Sequence, residues 1–246
     1  GEILLQLPAE LRASVQSRLA KYVMRSAVKV ADASARYVSF GVAGTEAEDT
    51  VRALVGTAPS EMHAVTSSDD AEVTRLPVER YLILAAGARA DALRASLASH
   101  VASADPEGWG ALDVEAGVAV ITAQTQEKYV PQMVNLDLIG AVSYSKGCYP
   151  GQEIVARTHY LGQQKQRMFR IGVPAGTSLA VGDGLYSKAF GTQASGSIVA
   201  LGDRNAEQRT ALAVIQRRSV DERDVHLGHD EGPSVEYLSL PYTLPR

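Results

Sequence analysis

Apolar positions along the chain follow two rhythms, and the change from one to the other falls near Met168. After Pro8-Ala9-Glu10, the side chains Leu11, Val15, Leu19 and Val23 recur at helical spacing and predict an amphipathic helix. Tyr37-Val38-Ser39-Phe40-Gly41-Val42 alternates as a strand, residues 46–55 read as helix, and residues 80–86 form a strongly apolar strand after the Leu76-Pro77 break. A further helix is predicted from about residue 90 to 102, with Leu93 and Leu97 on one face. Residues 1–7 and Val28-Lys29-Val30 read as extended pieces. The first of these looks like a strand entered without cap, turn or initiator methionine, so the chain is expected to start in mid-domain. Strands alternating with helices of this length predict a layered unit, and two crossovers on one antiparallel sheet would make it ferredoxin-like. From Met168 onward the pattern shortens to alternating strands with glycine turns, at residues 168–173, 182–186, 196–202 and 210–215. Such spacing predicts a small β-barrel or sandwich.

Between the two patterns lie segments that carry chemistry. Asp105-Pro106-Glu107 has the features of a helix start: a capping aspartate, a proline at the first helical position and an acidic first turn. Gly117 is the matching stop. Trp109 then falls in the first turn and Glu115 in the last. The indole reads as a core anchor or as a face for a flat ligand, and the carboxylate as a solvated helix end or as an acceptor for a ring edge. Asn135 and Asp137 alternate with Leu136 and Leu138, which suits either the polar edge of a cavity or a turn or cap.

The octet Lys146-Gly147-Cys148-Tyr149-Pro150-Gly151-Gln152-Glu153 holds the only cysteine of 246 residues. It predicts a glycine-rich turn running into a helix, with Pro150 at the first helical position, Glu153 in the first turn and Gly162 as the stop. Cys148 would precede that helix by two residues. Unpaired N–H groups and the positive end of the helix dipole favour an anion there, and Lys146 adds a positive charge. The competing reading is a small buried hydrophobe. Arg157 and Lys165, with Arg167 and Arg170 beyond, form a cationic cluster near the octet, of which Arg167 and Arg170 read as a solvated barrel face.

Composition narrows the function classes. With 46% hydrophobic and 21% charged residues, the chain has room for two compact units. A net charge of −4 argues against whole-protein attraction to phosphate backbones, while leaving a local basic patch open. A single cysteine excludes an intramolecular disulfide framework and fits a reducing compartment. It also cannot hold an iron–sulfur cluster, which several thiolates normally ligate. No run approaches the ~18 apolar residues of a membrane span. His226 and His229 flank Leu227-Gly228 with no cysteine partner, so no metal site is assigned.

The octet, its continuation Ile154-Val155-Ala156-Arg157, the preceding Pro131-Gln132-Met133-Val134-Asn135-Leu136-Asp137, Trp109 leading into Glu115-Ala116-Gly117, and the ending Leu240-Pro241-Tyr242 together resemble the YgfZ family. These are folate-binding proteins related to the T protein, the aminomethyltransferase of the glycine cleavage system. The resemblance implies an α+β fold: a ferredoxin-like, T-protein-like folate-binding region over residues 1–164, N-terminally incomplete and built of two interleaved subdomains, followed by a small C-terminal β-barrel over 165–246. It implies tetrahydrofolate or a derivative in a cavity lined by Trp109, Glu115 and Asn135, with Asp137 as a further polar edge and Arg157 toward a polyglutamyl tail. It places Cys148 and Lys146 as the reactive pair at the rim, with Gly147, Tyr149, Gly151, Gln152 and Glu153 completing the motif. The implied role is that of a cytoplasmic accessory factor in iron–sulfur cluster assembly or repair, acting on tRNA modification indirectly. Its partners would be folate and iron–sulfur clients such as a tRNA-modifying enzyme, with no direct nucleic-acid binding and no membrane. The alternative is a folate-dependent, aminomethyltransferase-like one-carbon transfer enzyme. The cysteine octet weighs against that alternative, as does Asp113, which stands where an arginine is usual.

Overall fold

The apolar run at residues 80–86 becomes strand β4 (Arg80–Ala86), an inner strand of the first of two antiparallel sheets. In the computed structural model, residues 1–69, 71–162, 164–202 and 208–245 are described. The chain divides into two compact units, Gly1–Asp105 and Pro106–Arg246. This division differs from the one expected at 164/165, because helix α4 (Pro106–Glu115) packs on strands of the second sheet.

In the first unit β4 lies between β1 (Tyr37–Ala43) and β3 (Ala71–Leu76), with β2 (Val65–Ser67) at the far edge, in the order β1-β4-β3-β2. The register sets Val42 opposite Tyr81 and Val73 opposite Ile83. Directly opposed residues share a face. Val42, Val73, Tyr81, Ile83 and Ala85 therefore make one apolar surface, covered by Ala47 and Val51 of α2 (Ala47–Val55) and by Leu93 and Leu97 of α3 (Gly87–His100). Helix α2 links β1 to β2 across the sheet, whereas among the described residues no strand of this sheet follows α3. The predicted strand over residues 1–7 and the extended piece at 28–30 enter neither sheet, and α1 (Arg12–Ala20) follows the first of them. An apolar run becomes a strand only where neighbours complete its hydrogen bonds and cover its face.

The second unit contains β5 (Gln166–Pro174), β6 (Gly184–Tyr186), β7 (Gly196–Gly202), β8 (Gln208–Gln216), β9 (His226–Leu227) and β10 (Glu236–Leu238), in the order β10-β5-β8-β7-β6-β9. The two edges meet. His226 bridges to Ser234, the Leu227 N–H donates to the Pro233 carbonyl and the Val235 N–H to that of Val225. The strands thus close into a small barrel, one of the two forms, barrel or sandwich, that the glycine-punctuated alternation predicts. Ile171, Val173, Ile198, Ala211, Ala213 and Ile215 form one apolar cluster within it. Leu212 and Val214 point the other way, toward Val114 of α4 and Val134. Strand β8 is accordingly buried on both faces, which explains its unbroken apolar run from Ala211 to Ile215.

Candidate functional site

Helix α4 starts and stops where its sequence says. Gly117, at φ +65°, takes the left-handed turn; its N–H bonds the Val114 carbonyl at 3.1 Å, and the Val118 N–H bonds that of Asp113 at 3.0 Å. This pair of bonds is a Schellman ending. Trp109 in the first turn and Glu115 in the last are both half-buried. A Cβ on residue 117 would come within 2.7 Å of Leu240 and 2.9 Å of Tyr242, so glycine is required there by space as well as by backbone.

Tyr242 ties this helix end to Asn135. Its hydroxyl donates to the Gly117 carbonyl at 2.7 Å and accepts from the Asn135 amide at 3.3 Å; that amide also donates to the Met168 carbonyl at 2.8 Å. Burial raises the phenol pKa of Tyr242. Asn135 is fully buried in a left-handed backbone at φ +59°. Both hydrogens of its amide are engaged by protein groups, while its Oδ1 is buried without a partner among the described residues. Asp137 is also committed: its two oxygens accept from Arg167 at 2.6 and 2.9 Å, and Arg167 donates further to the Gln132 carbonyl at 2.8 Å. With side chains only 6% and 11% exposed, Arg167 and Asp137 form a buried, bidentate pair. The solvated barrel face expected for Arg167 is therefore corrected. Arg170 is half-buried and reaches the Ser239 carbonyl at 3.4 Å. Sequence could not show the Arg167 partnership, because the partners are thirty residues apart with no local pattern linking them.

The octet takes a different local form from the one expected. The Gln152 N–H returns to the Tyr149 carbonyl at 3.2 Å, with Pro150 and Gly151 between them and Gly151 at φ +88°, ψ −2°. These are the dihedrals and residue types of a type II turn. Helix α5 (Gln152–Leu161) therefore begins two residues later than Pro150 would have it, since no right-handed helix can include Gly151 in that conformation. Gln152 fastens the turn by accepting the Tyr149 N–H on its side-chain oxygen at 3.2 Å. Cys148 is exposed and stands four residues before the first helical residue, outside the turn in which a helix dipole acts. The buried-hydrophobe reading of this cysteine is excluded by its exposure. Lys146, Gly147, Tyr149, Gly151, Glu153 and Arg157 are exposed as well.

A folate asks for a flat aromatic face, an acceptor for the amino edge of its pterin and cations for its glutamyl tail. Trp109 and Glu115 fit the first two needs by type and half-burial, and Arg157 on α5 fits the third. Asp137 is held by Arg167, and Asn135 keeps only its buried Oδ1 unpaired among the described residues. An open cleft of about 1220 Å³ includes Asp137, Gln132, Tyr144 and Arg167 in its lining, but none of Trp109, Glu115, Asn135, Arg157 or Cys148. Among the described residues, no group of three or more His, Cys, Asp or Glu is gathered as a metal site. His226 bonds Asp224 and the Gly232 carbonyl instead. No described helix is long and apolar enough to cross a membrane.

Comparison with known proteins agrees with this architecture. No family profile matches the chain. It is 30% identical over 238 residues to the tRNA-modifying protein YgfZ of Sodalis glossinidius, covering 95% of this chain and 72% of that protein. It is 30% identical over 231 residues to the protein of the same name from Yersinia enterocolitica, covering 93% and 70%. Among solved structures, the glycine cleavage system aminomethyltransferase T from Bartonella henselae shares the fold with a TM-score of 0.66 at 14% identity, over 94% of this chain and 66% of that one. Sequence identity at this coverage, on an α+β scaffold of T-protein type, shows that the chain belongs to the YgfZ family.

Proposed function

We propose that this chain is a cytoplasmic, folate-binding accessory factor for iron–sulfur proteins that affects tRNA modification through its clients. The observation that carries the reading is the accessible thiol: the one cysteine of the chain stands exposed on a loop pinned by a type II turn. Its relatives' name, tRNA-modifying protein, supports the link to tRNA modification.

In this reading the Trp109 indole stacks on the pterin and Glu115 accepts its N–H groups. The Gly117–Tyr242–Asn135 chain holds the end of α4 in place beneath them, and Arg157 meets the anionic tail. When bound, a reduced folate supplies the chemistry of a one-carbon carrier. Cys148 acts separately, as a single sulfur ligand to a client's iron, its thiol proton passing to solvent. Lys146 supplies a positive charge two residues away.

Because Trp109 is the only tryptophan, its fluorescence reports on this site alone. Titration with tetrahydrofolate should quench it saturably, and Glu115→Gln should weaken binding about ten- to hundredfold, the worth of a charged hydrogen bond. In cells lacking the native factor, wild type should restore iron–sulfur enzyme activity and Cys148→Ala should not. Equal rescue by both would remove the role given to the thiol.

The fold shared with an aminomethyltransferase, together with Glu115, favours a second reading as a one-carbon transfer enzyme. Formation of methylenetetrahydrofolate from a lipoyl-bound aminomethyl donor would establish it over the first.

A further inference from the structure

We propose that the open cleft beside Lys165 and Arg217 is a nucleotide-binding site, separate from and independent of the folate contacts proposed on α4. Three features of its lining point to a ligand with a phosphate and a flat base.

The first is charge. The register that pairs Gln166 with Gln216 runs on to Lys165 and Arg217, whose backbones are joined by the Arg217 N–H to the Lys165 carbonyl at 2.8 Å. Like charges set opposite one another across paired strands repel. An anion between them turns that cost into attraction. Asp137 is already neutralised by Arg167, and Arg218 is paired with Glu222 at 2.9 Å, which leaves Lys165 and Arg217 against Asp221. The basic patch is local, so the chain's net charge of −4 does not oppose it.

The second is aromatic surface. Tyr144 stacks on His159 with ring centroids 3.7 Å apart and 15° between planes, and Phe190 contributes a half-buried ring. Bases of every kind stack on such faces. The third is unmet hydrogen bonding. Gln132 is 1% exposed and Arg167 5%, yet the Gln132 Oε1 acceptor and the Arg167 Nε donor are buried without partners among the described residues. Both residues line the cleft. A buried donor and acceptor left unpaired cost stability, and the edge of a base offers both groups side by side. A bare phosphate would use neither the rings nor the amide.

The test is calorimetry on the full chain with ribonucleoside monophosphates and with a short single-stranded RNA of mixed sequence. Saturable binding is expected, weakened at least tenfold by Lys165→Glu and by Arg217→Glu, weakened by Phe190→Ala, and unchanged by Arg94→Ala in the other unit. RNA binding much tighter than the monophosphates, with a steep salt dependence, identifies the source as an RNA strand; comparable affinities identify free nucleotide. Absence of saturable binding to both probes, or binding that survives both charge reversals, overturns the proposal. So does one-for-one displacement by tetrahydrofolate, which would make the cleft the folate site. Tryptophan fluorescence on the same samples reads the α4 site separately, so one assignment can fail without the other.

Discussion

Arg167 and Asp137 illustrate how a charged residue changes meaning once its partner is known. Alone, each belongs on the surface; together, their bidentate contact at 2.6 and 2.9 Å closes a buried pair beside Gln132. Asp137→Ala leaves an uncompensated buried guanidinium and should lower unfolding free energy by about 3–5 kcal/mol, as denaturant midpoints would show. Replacing both, as Asp137→Leu with Arg167→Met, should cost much less, because no charge is then stranded. Tyr237 offers a second test. Its hydroxyl is buried without a partner among the described residues, and burial pushes its phenol pKa up to about 12, with the Asp224 carboxylate adding to the effect. A folded pKa above the unfolded value near 10 leaves stability intact below about pH 10 and removes it as pH rises from there through about 12. Tyr237→Phe should flatten this alkaline decline and leave neutral-pH stability unchanged or higher, since it deletes an unsatisfied group. A midpoint measured at pH 7 and again at pH 11 decides. At this scale the sequence exposes residue types but not partners: Asn135 could be picked out as polar among leucines, yet its bonds to Met168 and Tyr242 join positions far apart in the chain.

Elements were legible where several local signals agreed. Helix α4 has a capping aspartate, a proline, a first-turn acid and a terminal glycine in sequence, and its limits follow from them. The start of α5 was not legible, because Pro150 satisfies two rules at once: the first position of a helix and the second of a type II turn. Gly151, free to take φ +88°, settles it as a turn. Gly151→Ala forces a side chain into that conformation and should destabilise the unit by more than about 1 kcal/mol in thermal melts. The same turn leaves Cys148 in solvent, so iodoacetamide should modify the native protein at a rate within a few-fold of the urea-unfolded chain. Strong native protection would contradict the exposed loop. Strands β2 and β3 escaped the pattern because β3 buries fully only Ala71 and Val73, and β2 nothing at all.

At the scale of the whole molecule, the two rhythms of apolar spacing correspond to two kinds of core. The first unit buries a sheet face under two helices, so its apolar residues carry both helical and alternating periods. The second closes a barrel, and a closed barrel needs no covering helix inside, which is why only short helical pieces, Lys188–Phe190 and Arg217–Asp221 among the described residues, stand between its strands. What spacing could not show is that α4 and residues near 134 pack on the outside of that barrel, since their apolar side chains look the same whichever surface they cover. Ile83 and Ile215 are both fully buried, each in a cluster wholly inside its own unit. Truncating either to alanine removes comparable apolar volume and should cost about 2–5 kcal/mol. If the two clusters are distinct cooperative cores, Ile83→Ala will raise amide hydrogen exchange in strands β1, β3 and β4 while leaving β5, β7 and β8 protected, and Ile215→Ala will do the reverse. Uniform loss of protection by either variant would show that one cooperative transition spans both units, and the boundary after Asp105 would then mark a change of architecture without a change of stability.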